Sequence, residues 1–351
     1  MNWTYIIGAC QPQGMDLTLA GHDVTLTGQD VTLTGQDVTL AGLYVPLVTP
    51  FTADGELAPD ALEGLAHAVL DDGAAGIVAL GTTGEPATLT AGERRSVLDV
   101  CARVCRERTA TLIVGAGSND TRASAEALAE LAKWPEISAA LTVVPYYTRP
   151  SEEGVVAHFT KLAGGSPVPL IIYNIPYRTG QVVGWRAMRR LADVPGIAGV
   201  KHAVGGIDED TVRLMADLPE RFAVLGGEDV VAAPLLALGA AGGIMASANL
   251  CTRSYADMIA AWRAGELARA RVLANRLVGL STALFAEPNP TVIKAALHAQ
   301  GRIPSPAVRL PLLPASPGAT RAAQAAAETA AACRPARRPE NTQSASESPL
   351  T

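Results

Sequence analysis

Lysine is scarce in this chain: only four of its 28 basic residues are lysines, Lys133, Lys161, Lys201 and Lys294. The 34 acidic residues outnumber the basic ones, for a formal net charge of −6. With no run of Lys or Arg to form an arm, nucleic acid is not an expected partner. No stretch approaches the ~18 uninterrupted apolar residues of a membrane-spanning helix. The opening residues, Met1 to Gly8, carry no basic leader region, so no membrane association and a cytoplasmic location are expected. Cysteine is also sparse and odd in number, at Cys10, Cys101, Cys105, Cys251 and Cys333. The CxxxC at 101 and 105 lies in a helical pattern with no second pair, so these read as reduced thiols. The five histidines (His22, His67, His158, His202, His298) show no HxH or HExxH spacing, and no metal is expected. No GxSxG elbow exists either, which disfavours a Ser/His/Asp hydrolase.

What is present is a long apolar chain, 351 residues with 48% hydrophobic content, enough for one large domain with tails. Residues 16 to 43 hold a repeat of period seven, DLTLAGH, DVTLTGQ, DVTLTGQ and DVTLAGL. Its apolar residues alternate, which argues against a helical heptad and leaves β-arcs or a low-complexity extension, the second being the simpler. From Leu43 onward, short β-branched runs alternate with amphipathic stretches, the pattern of βα units around a parallel sheet. Eight strands are predicted, near 43–49, 76–80, 111–116, 138–144, 169–174, 197–201, 222–226 and 242–246. Helices are predicted between them, for example at 60–70, 93–105, 123–133 and 210–218.

Eight strands fit a (β/α)₈ TIM barrel of the α/β class. An open doubly wound sheet is the alternative, disfavoured because no GxGxxG follows the first strand. Further helical stretches at 253–264, 266–286, 291–300 and 317–332 exceed a minimal barrel. The expected division is an N-terminal extension at 1–42, a barrel at 43–252, a C-terminal helical segment at 253–332, and a disordered tail at 333–351. The tail is Pro/Ser/Arg-rich with no apolar period.

Lys133, Lys161 and Lys294 fall in helical patterns, where solvated lysines are expected. Lys201 alone ends an apolar strand, in Ile197-Ala-Gly-Val-Lys-His, and the C-terminal ends of barrel strands form the catalytic mouth. A lysine held there loses hydration, its pKa drops, and its neutral amine becomes a nucleophile toward a carbonyl. Position alone leaves this reading level with that of a lysine snorkelling to water. The segment Leu170-Ile-Ile-Tyr-Asn-Ile-Pro-Tyr-Arg-Thr-Gly adds Tyr173, a phenol able to shuttle protons, and Arg178, a fork suited to a carboxylate. After the second strand, Gly81-Thr-Thr-Gly-Glu offers hydroxyls and backbone N–H groups to a small anion, or is an ordinary turn with Thr88 or Thr90 capping the next helix. Strand four ends in Val143-Val-Pro-Tyr-Tyr-Thr-Arg-Pro, with two phenols near the same rim.

Over about residues 43 to 330, the chain resembles the dihydrodipicolinate synthase / N-acetylneuraminate lyase family of class I aldolases. The resemblance is carried by GTTGE (81–85), VPYYTRP (144–150), YNIPYRTG (173–180), GVK (199–201), GGED (226–229) and EPNP (287–290). It implies a barrel with a C-terminal helical segment, usually assembled as a homotetramer, a dimer of dimers. It further implies that Lys201 forms an imine with pyruvate, that Tyr173 is the central proton shuttle, and that Thr83 and Tyr147 complete the relay, Tyr147 reaching into a neighbouring subunit's site. Thr82 and Thr83 would hold the pyruvate carboxylate, and Gly227 and Ile244 would supply carbonyl oxygens near the lysine. No cofactor is implied.

The Thr-Thr pair and Arg178 are similar to the synthase branch. That branch condenses pyruvate with aspartate 4-semialdehyde to 4-hydroxy-tetrahydrodipicolinate, toward diaminopimelate and lysine. The chain departs from the common pattern at Lys201-His202-Ala203 and at GGIMAS around Met245. Those departures keep open another pyruvate-dependent aldolase or dehydratase, for example on a 2-keto-3-deoxy sugar acid. A non-catalytic keto-acid-binding member is the third reading.

Overall fold

The computed structural model describes residues 16–19, 22–27, 30–33 and 38–331. The tail expected at 333–351, and the stretches of the N-terminal extension between and before those segments, lie outside the described residues. Within the heptad repeats the backbone forms three strands, β1 (Asp16–Leu19), β2 (His22–Thr27) and β3 (Asp30–Leu33). They pair antiparallel in the order β1-β2-β3, so the alternation in the first three units is expressed as strand rather than helix.

The next eight strands are β4 (Gly42–Pro46), β5 (Gly76–Ala79), β6 (Thr111–Gly115), β7 (Ile137–Val143), β8 (Leu170–Asn174), β9 (Ile197–His202), β10 (Ala223–Gly226) and β11 (Gly242–Ile244). All pair in parallel, and β11 returns to β4 to close the barrel. Closure excludes the open doubly wound sheet. Helices α1 (Pro59–Asp71), α2 (Ala91–Arg108), α3 (Thr121–Ala129), α4 (Glu152–Ala163), α5 (Pro176–Thr179), α6 (Trp185–Ala192), α7 (Glu209–Ala216) and α8 (Ala232–Ala237) follow the strands in turn. Then come α9 (Ala248–Arg263), α10 (Leu267–Leu284), α11 (Thr291–Ala299) and α12 (Pro317–Ala331).

Each barrel strand sends alternate side chains to two layers, as a pleated backbone must. Tyr44, Val78, Ile113, Leu141, Ile171 and Leu225 fill the interior. Their chain neighbours, among them Val45, Ile77, Leu112, Ala140, Ile172 and Val224, pack outward against the helices. Helix α2 starts at a capping box in which Thr90 Oγ1 accepts from Glu93 N–H and Glu93 accepts from Thr90 N–H. Of the two threonines offered as a cap by the sequence, Thr90 serves.

Strand β9 departs from simple alternation at the point that matters most. Leu170 pairs with Ile197 but Ile171 pairs with Gly199, so Ala198 is an extra residue, a β-bulge. Ile197 and Val200, three apart, both face the outer layer. The bulge thereby turns Lys201 inward and His202 outward. Gly199 permits it, because a Cβ there would stand 2.3 Å from the Ala223 carbonyl oxygen.

Candidate active site

At the C-terminal ends of the strands, a small cavity is lined by Lys201, Tyr173, Thr82, Thr83, Arg178, Gly227 and Ile244. Seven of the eight residues singled out from the sequence thus converge on one place. Lys201 is 7% exposed, and its Nζ lies 4.3 Å from the centre of the Tyr173 ring. Burial pulls the lysine down to about 8 from the ordinary 10.5; Asp229 works against this and the Arg178 charge assists it. Burial likewise pushes the Tyr173 phenol up to about 12, with Arg178 and the Thr82 hydroxyl opposing. At neutral pH the tyrosine is therefore a protonated donor beside an amine unusually ready to be neutral.

The backbone around the lysine is cut to fit it. A Cβ on Gly227 would stand 2.8 Å from Lys201 Cγ and 2.9 Å from Cε. Thr82 and Thr83 occupy a tight helical turn after β5, with Glu85 in the left-handed region at φ 52° closing it. Thr49 Oγ1 donates to the Gly84 carbonyl at 2.7 Å and ties the turn to the segment after β4. At the rim, exposed Arg178 donates from Nε to Tyr177 Oη at 2.8 Å.

Tyr147 is the eighth residue, and it does not line this cavity. It is 88% exposed, at φ 68°, and its N–H donates to the Thr179 carbonyl. Two departures from the common family pattern turn out to lie outside the cavity. His202 points to α7, with Nε2 3.0 Å from Thr211 Oγ1, which in turn donates to Asp208. Met245 is wholly buried in the outer layer.

Several residues of the cavity were given no role by sequence reasoning. Asp229 is buried, accepts at Oδ2 from Ser247 N–H at 2.6 Å, and has its carboxyl raised by burial, with Ser247 and Lys201 pulling it back. Glu228 beside it is half-buried and also raised, first by burial and then by the Asp229 charge. Asn289 reaches in from the C-terminal segment and donates from Nδ2 to Thr83 Oγ1 at 3.0 Å. The only signal for these three was membership of the GGED and EPNP motifs.

Lys294 corrects the expectation of a solvated helical lysine. It is 0% exposed, its Nζ 2.8 Å from Glu85 Oε1 and 3.9 Å from the centre of the Phe51 ring. Residues 291 to 297 of α11 are all buried because the helix packs against α9, α10 and α12, so it meets water only at its last residues, His298 and Ala299.

The Dihydrodipicolinate synthetase family model matches residues 39–330. The chain is 39% identical over 282 residues to a 4-hydroxy-tetrahydrodipicolinate synthase of Neisseria gonorrhoeae, covering 80% of this chain and 96% of that one. It is 40% identical over 273 residues to the enzyme of that name in Pseudomonas aeruginosa, covering 78% and 92%. Among solved structures, the chloride-inhibited dihydrodipicolinate synthase of Acinetobacter baumannii complexed with pyruvate superposes with a TM-score of 0.79 at 35% identity, over 83% of this chain and 99% of that one. A closed barrel with this cavity, and a match running from its first strand to its last helix, have one explanation: the chain belongs to the dihydrodipicolinate synthetase family.

Proposed function

We propose that this protein is a Schiff-base lyase that condenses pyruvate with L-aspartate 4-semialdehyde to 4-hydroxy-tetrahydrodipicolinate, on the route to diaminopimelate and lysine. The observation that carries the reading is the buried Lys201 amine, drawn to about 8 and set over Tyr173. The neutral amine adds to C2 of pyruvate, and water leaves as the imine forms. Loss of a proton from the C3 methyl converts the imine to an enamine, whose carbon attacks the aldehyde. The acceptor's own amine then displaces Lys201 from C2, closing the ring and freeing the lysine, so one water is released per product.

Tyr173 carries protons to and from the tetrahedral carbons, with the Thr82 hydroxyl, which bonds to the phenol, ahead of Thr83 in the relay. The Thr82–Thr83 turn holds the pyruvate carboxylate with hydroxyls and backbone N–H groups, and the Gly227 and Ile244 carbonyl oxygens flank the lysine. Arg178, its Nε engaged by Tyr177, keeps its two Nη groups for the carboxylate of the acceptor. A different aldehyde acceptor was favoured by His202 and Met245; both side chains face away from the cavity, which removes that support. Tyr147, exposed on its own chain, is assigned to the site of a neighbouring subunit in a homotetramer. Among the described residues no helix is long and apolar enough to cross a membrane, in keeping with a cytoplasmic enzyme.

The test is pyruvate consumption by purified protein with aspartate 4-semialdehyde, beside a Lys201→Ala control. Turnover that the control loses is the expected result. If turnover is absent while borohydride still traps pyruvate on Lys201, the covalent chemistry stands and the acceptor is a different aldehyde. Absence of both refutes the reading.

A further inference from the structure

Tyr177 lines the same cavity as Arg178 and has so far been given no part in the chemistry. Arg178 Nε donates to its phenol oxygen at 2.8 Å, and the guanidinium carbon stands 5.0 Å from the centre of its ring. Among the described residues no ion pair joins Arg178 to a carboxylate, so the phenol is what the guanidinium holds on to. Burial raises the Tyr177 phenol above its ordinary range against the opposing Arg178 charge, and a phenol that stays neutral is a fixed acceptor for the Nε proton.

The backbone beneath the pair is rigid. Pro176 opens the short helix α5, the Arg178 and Thr179 N–H groups donate to the Ile175 carbonyl at 3.0 and 3.1 Å, and Gly180 N–H donates to the Pro176 carbonyl at 2.8 Å. The buried Thr179 hydroxyl donates to the Ile175 carbonyl as well, at 3.2 Å. What remains to be ordered at this rim is the long Arg178 side chain itself, which has many rotamers to lose.

A guanidinium carries five N–H donors in a flat fork. Engaging Nε leaves the edge formed by Nη1 and Nη2, the one that grips both oxygens of a carboxylate. Glu228, half-buried in the same cavity, feels the Arg178 charge, so a guanidinium freed from the phenol has an anion of the protein to turn to in place of a substrate.

We propose that Tyr177 is a positioning residue that sets acceptor specificity: by holding Arg178 Nε it keeps the Nη edge ready for the carboxylate of the incoming aldehyde. The proposal rests on the Schiff-base reading given above and concerns its second substrate alone. Pyruvate, bound to Lys201 before the aldehyde arrives, is indifferent to the phenol.

The experiment compares the full-length protein with Tyr177→Phe, Arg178→Lys and the double variant. Phenylalanine keeps the ring and removes only the accepting oxygen. For each protein the borohydride-trapped pyruvate adduct is timed by mass spectrometry, kcat and the two KM values are measured, and the thermal midpoint is recorded. Tyr177→Phe is expected to raise KM for aspartate 4-semialdehyde about tenfold, the worth of a hydrogen bond to a charged group, with KM for pyruvate and the trapping rate unchanged. In the Arg178→Lys background the same change should have little further effect, because the phenol acts through the fork that lysine lacks.

An unchanged aldehyde KM in Tyr177→Phe would overturn the proposal. Both KM values rising together as the thermal midpoint falls would show a merely structural tyrosine and overturn it too. A full further rise of the aldehyde KM in the double variant would mean that the phenol acts independently of Arg178, against the proposal. A wild-type protein that traps pyruvate but does not consume it with this aldehyde overturns the acceptor assignment and this proposal with it, whereas one that traps no pyruvate overturns the Schiff-base reading itself.

Discussion

Adding one methyl group, by Gly227→Ala, is expected to disable the lysine without unfolding the barrel. The new Cβ would stand 2.8 Å from Lys201 Cγ, 2.9 Å from Cε and 3.0 Å from Ala203 Cβ. Carbon atoms rest at about 3.5 to 4.0 Å, so the lysine side chain must retreat by about 0.7 to 1 Å. Gly227 does not occupy the left-handed region, so alanine fits its backbone and the conflict is steric alone. Lys201 can turn aside but the buried Ala203 Cβ cannot, which puts the stability cost within the roughly 1 to 3 kcal/mol typical of overpacking. In a chain of this size that lowers the thermal midpoint by roughly 1 to 2 °C per kcal/mol.

The chemistry suffers more. Displacing a reacting group by about 1 Å costs on the order of 100-fold in rate, because the amine must approach C2 of pyruvate along one direction while Tyr173 keeps its place beside it. The assay is the initial rate of borohydride-trappable pyruvate adduct, run beside thermal denaturation. A variant that traps pyruvate at the wild-type rate would refute the claim that glycine is required here by the lysine. Trapping lost only in proportion to unfolded protein would refute it equally.

Three further outcomes follow from the same geometry. With Lys201 at about 8, roughly one molecule in ten carries a neutral amine at pH 7, against about one in three thousand for an ordinary lysine; burial disfavours the charged form, so adduct formation should rise with pH through a midpoint near about 8. An inflection near 10 would contradict the shift. Lys294→Met leaves the Glu85 carboxylate buried without its cation, an expected cost of about 3 to 5 kcal/mol, whereas Glu85→Gln with Lys294→Met should recover most of it; equal instability of the single and double variants in urea denaturation would argue against the ion pair as the cause. His202→Asn should leave KM for the aldehyde unchanged, because that ring bonds to Thr211 behind the barrel wall; a severalfold change in that KM would reopen the question of the acceptor.

The barrel was legible in the chain because each strand is a short β-branched run and each helix an amphipathic one, and local pattern decides both. Lys201 stood out because lysine is rare and this one ends a strand. Tyr173, Arg178 and the Thr82–Thr83 turn lie within a few residues of their own strand ends, where a barrel collects its chemistry, so they too could be read off. Which way Lys201 points could not. Counting by twos from Ile197, which faces outward, would send it out to the helices; the bulge at Ala198 sends it in, and a bulge depends on how two strands pair, not on either alone.

Lys294 and His202 show the same limit from the other side. A lysine in a helical pattern reads as solvated until a glutamate 209 residues away is folded against it. A histidine next to Lys201 reads as part of the pocket until the strand's pleat turns it the other way. Asn289 has no local signature at all, since its partner Thr83 is 206 residues distant. Propensity and periodicity act over a few residues and determined the elements. Contacts of high sequence separation exist only once the barrel closes, and they decided which side chains share the site.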